Sequence, residues 1–120
     1  MSYREFYDNH IELLKKNDVN LLVENDYHDD AVMILMVGDE PQVIRGKDAL
    51  KGLLGNYLEF IYRGYVSTEK YSEIEDSLFF EATIKTASGT SQIYDALVMK
   101  DGKIAIHFAG MVQHPDGSLA

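Results

Sequence analysis

The segment from Ser91 to Gln113 constrains the fold more than any other, because it contains two long apolar runs separated by a short turn. The turn residues Lys100-Asp101-Gly102-Lys103 are typical of a β-hairpin. Both runs are apolar on both faces, which predicts a central pair of strands covered on each side. Two polar side chains interrupt these runs, Asp95 and His107. They are therefore the first candidates for a functional site.

The length of the turn decides whether these two side chains meet. If the loop contains only Asp101 and Gly102, Asp95 and His107 fall on opposite faces of the hairpin. If Lys100 joins the loop and Gly102 is left-handed in a bulge, Asp95 lies opposite His107 on the adjacent strand. We prefer this second register. One face then contains Asp95, Leu97, Met99, Ala105, His107, Ala109 and Met111, and the other contains Tyr94, Ala96, Val98, Ile104, Ile106, Phe108 and Val112.

Composition limits the possible partners. A chain of 120 residues with a hydrophobic fraction of 46% supports one domain, which we assign to residues 1–120. The formal net charge of -9 disfavours nucleic acid and anionic membranes, because both reward clustered lysine and arginine. The absence of cysteine excludes disulfides and thiolate chemistry. With no apolar run near the roughly 20 residues of a membrane span and no signal-peptide pattern, we expect a cytoplasmic protein.

The order of the elements predicts an α+β fold. Ser2 and Glu5 form a capping box ahead of a helix whose apolar stripe includes His10, and Asp18 can cap a second helix ending near Tyr27. The remaining predicted elements are a buried strand (31–37), a short returning strand (42–45), a third helix from Gly46 to about Arg63-Gly64, and two long strands (65–74 and 78–86).

Two acidic or polar segments are assigned to turns and ends. Asp29-Asp30 is expected to end the helical part, although His28 beside it also makes a metal site conceivable. We predict no metal site, because no further ligands support this cluster. The tail from His114 to Ser118 is expected to be a loose end.

Several segments, in this order, resemble the NTF2-like superfamily, which includes ketosteroid isomerases and SnoaL-like polyketide cyclases. They are His10-Ile11-Glu12-Leu13, Tyr27-His28-Asp29-Asp30-Ala31, Val37-Gly38-Asp39-Glu40-Pro41, Arg45-Gly46-Lys47-Asp48-Ala49-Leu50, and Tyr94-Asp95 ahead of Asp101-Gly102-Lys103-Ile104. The resemblance covers nearly the whole chain. It implies a cystatin-like cone in which three N-terminal helices pack on a curved, mixed and mainly antiparallel sheet. It does not specify an activity, because this superfamily includes enzymes, ligand binders and protein adaptors.

The resemblance also implies roles for individual residues. The carboxylic acid of the isomerase oxyanion hole falls on Asp95, and its tyrosine partner falls on His10. The isomerase base falls on Leu35, which cannot take a proton, so steroid-isomerase chemistry is not expected. In the cyclases an aspartate and a histidine on the late strands perform acid–base work, and Asp95 and His107 resemble that pair.

A cone of this kind implies a small apolar pocket. We expect the pocket to be lined by Tyr7, Tyr27, Leu35, Tyr57, Leu97, Met99 and Ala109. The leading hypothesis is a SnoaL-like isomerase, cyclase or hydrolase acting without cofactor on a small apolar carbonyl compound, with Asp95 and His107 as the acid–base pair and His10 as an oxyanion donor.

Two other functions stay open, and the candidate residues also have structural interpretations. Asp95 and His107 can form a buried hydrogen bond without turnover, and His10 can be a core histidine bonded to a backbone carbonyl. The protein is then a small-ligand binder. It can also be an interaction module.

The helices of such a fold cover only one face of the sheet. The other face would expose a large apolar patch, which predicts a two-fold homodimer. The residues expected at its interface are Tyr94, Val98, Ile104, Ile106 and Phe108.

Overall fold

The structure, a computed structural model, describes residues 2–113, which form three α-helices and six strands. The helices are α1 (Tyr3–Lys15), α2 (Val19–Asp26) and α3 (Lys47–Asn56), and a π-helical turn (Tyr57–Ile61) follows α3 directly. The strands are β1 (Tyr27–Met36), β2 (Gln42–Arg45), β3 (Tyr62–Ile74), β4 (Ser77–Thr86), β5 (Gly89–Lys100) and β6 (Lys103–Gln113). The predicted loose end at His114 to Ser118 lies outside the described residues.

The first two helices begin as their capping residues predict. The Ser2 hydroxyl accepts a hydrogen bond from the Glu5 amide at 3.1 Å, and the Glu5 carboxylate accepts one from the Ser2 amide. The Asp18 carboxylate accepts a hydrogen bond from the Leu21 amide at 3.1 Å, at the start of α2. These contacts satisfy backbone donors that a helix leaves unpaired at its first turn. Both predicted helix starts are confirmed.

Two predicted boundaries are wrong. Asp29 and Asp30 lie within β1, because α2 already ends at Asp26 and Tyr27 pairs with Ile104 of β6. Arg63 and Gly64 lie within β3 rather than at a helix end, because the chain becomes extended at Tyr62. In both places local turn-like residues were outweighed by strand pairing, which sequence propensity does not include.

The six strands form one sheet in the order β2-β1-β6-β5-β4-β3. The β1–β6 pair is parallel and the other pairs are antiparallel, so the sheet is mixed and mainly antiparallel as predicted. Irregularities interrupt the β3–β4 ladder at three points. Such irregularities bend a strand and increase its twist, so they favour a curved sheet at this end.

The helices pack against one face of the sheet and enclose the main core there. Its fully buried side chains come from the helices and from alternate positions of the strands; they include Tyr7, Leu22, Val23, Tyr27, Met33, Leu50, Leu78, Leu97 and Ile104. Among residues 2–113, no helix combines the length and the apolar character needed to cross a bilayer.

The central hairpin adopts neither of the two registers considered from sequence. Its loop is the two-residue turn Asp101-Gly102, with φ of 54° and 76°, the left-handed pair typical of a type I′ turn. The ladder then slips, because Met99 pairs with Ile104 while Val98 pairs with Ile106. Ala105 is therefore an extra residue in a bulge of β6.

The turn and the slip each have a consequence. The slip returns Asp95 and His107 to the same face, as the preferred register required but by a different route. The two-residue turn pairs Ile104 with Met99 and so directs it toward the helices, where the side chain is completely buried. The assignment of Ile104 to the opposite, dimer-forming face is therefore wrong.

Candidate active site

Asp95 and His107 are joined by a hydrogen bond on the helix-facing side of the central hairpin. Asp95 pairs with Ala109 and His107 pairs with Leu97, so the two residues are diagonal neighbours on adjacent strands. His107 Nε2 lies 2.5 Å from Asp95 Oδ1. The Asp95 and His107 side chains keep 11% and 8% of their surface exposed. An ionised carboxylate can only accept, so Nε2 carries the proton of this bond.

The second ring nitrogen of His107 also has a partner. The hydroxyl of Tyr27, the first residue of β1, lies 2.7 Å from His107 Nδ1, and the two rings stack with centroids 5.9 Å apart. Burial raises the pKa of Tyr27 well above its ordinary value, and the Asp95 and Asp26 charges add to this. Tyr27 therefore stays a protonated phenol, and it completes a buried chain from Tyr27 through His107 to Asp95.

His10 takes part in a second buried pair. Its Nδ1 lies 2.6 Å from Oδ2 of Asp26, the last residue of α2. The side-chain amide of Asn25 donates a hydrogen bond to Asp26 Oδ1 at 2.7 Å. The partner is thus a carboxylate and not the backbone carbonyl considered from sequence. The His10 ring contacts the Tyr27 ring edge-on, with centroids 6.3 Å apart. The two consecutive residues Asp26 and Tyr27 therefore each hold one histidine.

Tyr57 is the half-buried residue that opens the π-helical turn. Burial raises its pKa well above the ordinary value, and the negative charge of Asp95 raises it further. A tyrosine in this state remains a hydrogen-bond donor across the physiological pH range. π-Helical turns occur frequently at functional sites because they redirect a side chain that a regular helix would place elsewhere.

The other residues predicted to line a pocket occupy three kinds of position. Leu97 and Met99 are buried in the main core, and Leu35 packs partly buried against it. Ala109 is half-buried and lies directly across from Asp95. Tyr7 is buried, but its hydroxyl contacts Tyr65 and Thr68 of β3 and belongs to a different part of the molecule.

The acidic residues near His28 are engaged in other contacts. Asp29 pairs with Lys47 at 3.0 Å, and His28 Nδ1 accepts a hydrogen bond from the Asp30 amide at 3.3 Å. His28 Nε2 lies 3.8 Å from the carboxylate of Asp101. Within residues 2–113, no three side chains of histidine, aspartate or glutamate come together as metal ligands would.

Asp26 is the residue of this region that sequence reasoning missed. It is 1% exposed. A signal was present, because Asp26 follows Val19, Leu22 and Val23 at the spacing of the apolar stripe of α2. A carboxylate on the buried stripe of a helix requires a partner, and the histidine on the buried stripe of α1 was available.

The two pairs predict opposite tautomers for their histidines. We expect ¹⁵N NMR of the side chains to show neutral His107 with its proton on Nε2 and neutral His10 with its proton on Nδ1, because in each ring that nitrogen faces a carboxylate. The Asp26→Leu variant is the control, since it removes the acceptor for His10 and should leave the His107 signals in place. A His10 protonated on Nε2 alone would contradict the Asp26 contact.

Comparisons with known proteins give the fold a context. No protein-family model matches the sequence, and no curated protein matches it. Similar solved structures include an NTF2-like protein of unknown function from Burkholderia pseudomallei, with a TM-score of 0.76, 11% identity and coverage of 92% of each chain.

Two other similar structures have names that point to an activity. One, named as a candidate SnoaL-like polyketide cyclase from Mesorhizobium loti, has a TM-score of 0.66, 23% identity and coverage of 91% of this chain and 98% of that one. The other, named as a candidate isomerase from Bacillus subtilis, has a TM-score of 0.72, 14% identity and coverage of 89% and 84%. At such identities the likeness concerns the fold alone, and the chain has the NTF2-like α+β cone fold.

Proposed function

We propose that the protein is a cofactor-independent acid–base enzyme for a small apolar carbonyl compound, with Asp95 as the group that exchanges a proton with the substrate. The observation that carries this proposal is the buried chain of hydrogen bonds from Tyr27 through His107 to Asp95. Both ring nitrogens of His107 already have protein partners. Because His107 holds Oδ1 of Asp95, the proposal assigns the exchange of a proton with the substrate to Oδ2.

In this proposal Asp95 acts as general base toward a carbon next to the carbonyl. Its Oδ2 takes the proton, the electrons of the broken C–H bond form the enolate double bond, and the carbonyl oxygen becomes an oxyanion. Tyr57 is the proposed donor to that oxyanion, because burial and the charge of Asp95 raise its pKa and so keep its phenol protonated. Return of the proton to a different atom of the enolate would complete an isomerisation.

His107 and His10 then act as positioning residues. His107 holds Oδ1 of Asp95 at 2.5 Å, and Tyr27 holds the His107 ring in one orientation. In this proposal Tyr57 takes the oxyanion role that was expected for His10. The reason is that the His10 ring contacts the Tyr27–His107–Asp95 hydrogen-bond chain through the Tyr27 ring, edge-on. Leu35, at the position of the isomerase base, lies across from Ala109 and contributes an apolar wall.

The second candidate is a small-ligand binder without turnover. The occupation of both His107 nitrogens favours it, because a fully partnered imidazole orients its neighbours without exchanging protons itself. In that case Asp95 would accept a hydrogen bond from the ligand.

Exchange of the α-protons of cyclohexanone for deuterium in D₂O, followed by NMR, distinguishes the two. We expect exchange above the buffer background that falls by about 10²–10⁴-fold in Asp95→Asn, because the amide keeps the acceptor for His107 and loses the base. The exposed turn variant Asp39→Asn is the matched control and should retain the wild-type rate. Equal rates in wild type and Asp95→Asn would remove Asp95 as the base. Saturable binding without any exchange would support the binder.

We also propose a homodimer formed through the outer face of the sheet. An apolar patch crosses four adjacent strands there, and it comprises Val32, Ile34, Phe79, Tyr94, Ala96, Val98, Ile106 and Phe108. The Tyr94 ring covers Gly110, where an added Cβ would come within 2.4 Å of it, and it stacks on the Phe79 ring with centroids 6.5 Å apart. A continuous apolar patch of this kind suits a second copy of the same face.

A further inference from the structure

A cleft of about 290 Å³ opens between α1 and the edge strand β3, and neither Asp95 nor His107 lines it. Tyr7 from α1 and Tyr65 and Thr68 from β3 bring three hydroxyls together at its floor. The hydroxyls of Tyr7 and Tyr65 are 3.0 Å apart, and Thr68 Oγ1 makes a hydrogen bond with each of them. The floor is thus a closed triangle of hydroxyls.

In such a triangle all the hydroxyl donors are used, and only acceptor lone pairs remain. Three hydroxyls carry three donors and six acceptor lone pairs, and three mutual hydrogen bonds use all the donors and half of the lone pairs. One lone pair on each oxygen remains. Burial raises the pKa of Tyr65 well above its ordinary value, and the hydrogen bond to Tyr7 raises it further, so this phenol stays protonated. By this count the three hydroxyls can accept further hydrogen bonds and can donate none.

The charges at the rim of the cleft cancel. Arg4 Nε lies 3.4 Å from Asp8 Oδ1, and Lys15 Nζ lies 3.2 Å from Glu12 Oε1. All four residues line the cleft. Because these pairs are neutral together, the net charge of -9 on the whole chain decides which sign of ligand is attracted, and it favours a cation.

The aromatic rings of this region already attract cations. The Arg4 guanidinium lies 5.5 Å from the centre of the Tyr7 ring and 4.7 Å from that of Tyr71, and Lys15 Nζ lies 5.9 Å from that of Tyr65. These distances fall within the range of cation–π contacts. The rings of this region therefore already accommodate positively charged groups beside them.

We propose that this cleft binds a small primary amine in its ammonium form. A primary ammonium carries three N–H donors, which matches the three lone pairs that the triangle leaves open. This site is distinct from the proposed active site and does not depend on it.

Titration of the ¹⁵N-labelled protein with ethylammonium chloride tests the proposal by NMR. We expect saturable shifts of the Tyr65, Thr68 and α1 amides with millimolar affinity. Tetramethylammonium has the same charge without N–H donors, and ethanol has a hydroxyl without charge. Both should bind at least about tenfold more weakly, because hydrogen bonds to a charged group are the strong ones.

Variants of Thr68 test the triangle itself. Thr68→Val removes one acceptor and leaves a tyrosine O–H without a partner, so ethylammonium should bind at least about tenfold more weakly, whereas Thr68→Ser should retain wild-type affinity. Thr83→Val is the matched control, since its hydroxyl bonds Glu69 away from the cleft. Equal affinity for tetramethylammonium, tighter binding of ethanol, no saturable shift with ethylammonium, or unchanged affinity in Thr68→Val would each overturn the proposal.

Discussion

Replacing Asp26 by alanine should lower the free energy of unfolding by about 1–3 kcal/mol, because it leaves the buried Nδ1–H donor of His10 without an acceptor. Asp26 is 1% exposed and His10 is 6% exposed, so water cannot replace the missing carboxylate. Urea denaturation at one fixed protein concentration measures this loss by linear extrapolation.

A double variant separates the pair from its surroundings. His10→Phe with Asp26→Leu removes both polar partners, and the phenylalanine can keep the stacking that His10 makes with Phe6 at 6.1 Å. Its loss of stability should be smaller than that of Asp26→Ala, because no charge or donor remains buried alone. The exposed α2 variant Asn20→Ala is the control and should change stability by less than about 0.5 kcal/mol. A loss under about 1 kcal/mol in Asp26→Ala would contradict the stabilising role of the pair.

Replacing Ile106 by lysine should convert the proposed dimer to a monomer at micromolar concentration. Ile106 lies between Val32 and Val98 on the outer face of the sheet, at the centre of the apolar patch. A two-fold interface would place this charge close to its own copy in a dry contact, where a lone charge is strongly disfavoured. Analytical ultracentrifugation of wild type and variant measures the change.

The matched control for this experiment is Ser72→Lys. Ser72 is exposed and pairs with Phe79 on the same face of the sheet, at the edge of the patch. The Ser72→Lys variant adds the same charge outside the patch, so the dimer should stay intact. A wild-type protein that is monomeric at micromolar concentration, or a dimer that survives Ile106→Lys, would contradict the proposal. A monomer that binds a different protein through this face would instead support an interaction module.

Some features of the fold are local and could be predicted from sequence. The capping residues Ser2, Glu5 and Asp18 act within a single turn of chain, so the helix starts follow from the residue types alone. The apolar runs on either side of Asp101-Gly102 predict the central hairpin for the same reason. The order of helices and strands predicts an α+β fold, and the resemblance to the NTF2-like superfamily implies its cone shape.

The contacts of the candidate site depended on longer-range geometry. The same-face position of Asp95 and His107 was predicted correctly, but from a three-residue loop that the chain does not have. A bulge at Ala105 supplies the one-residue shift in strand register instead. Nothing local distinguishes these two routes, because a one-residue slip can be placed at several points of a strand with the same outcome for the later residues.

By itself, the sequence determined the helix starts, the hairpin, the fold class and the two polar residues in the central strands. Only the tertiary structure decided that Asp26 holds His10, that Tyr27 holds His107, and that Ile104 faces the helices. The physical reason is distance along the chain. Tyr27 and His107 are 80 residues apart, and such contacts arise from the packing of whole elements, which no local pattern of residues encodes.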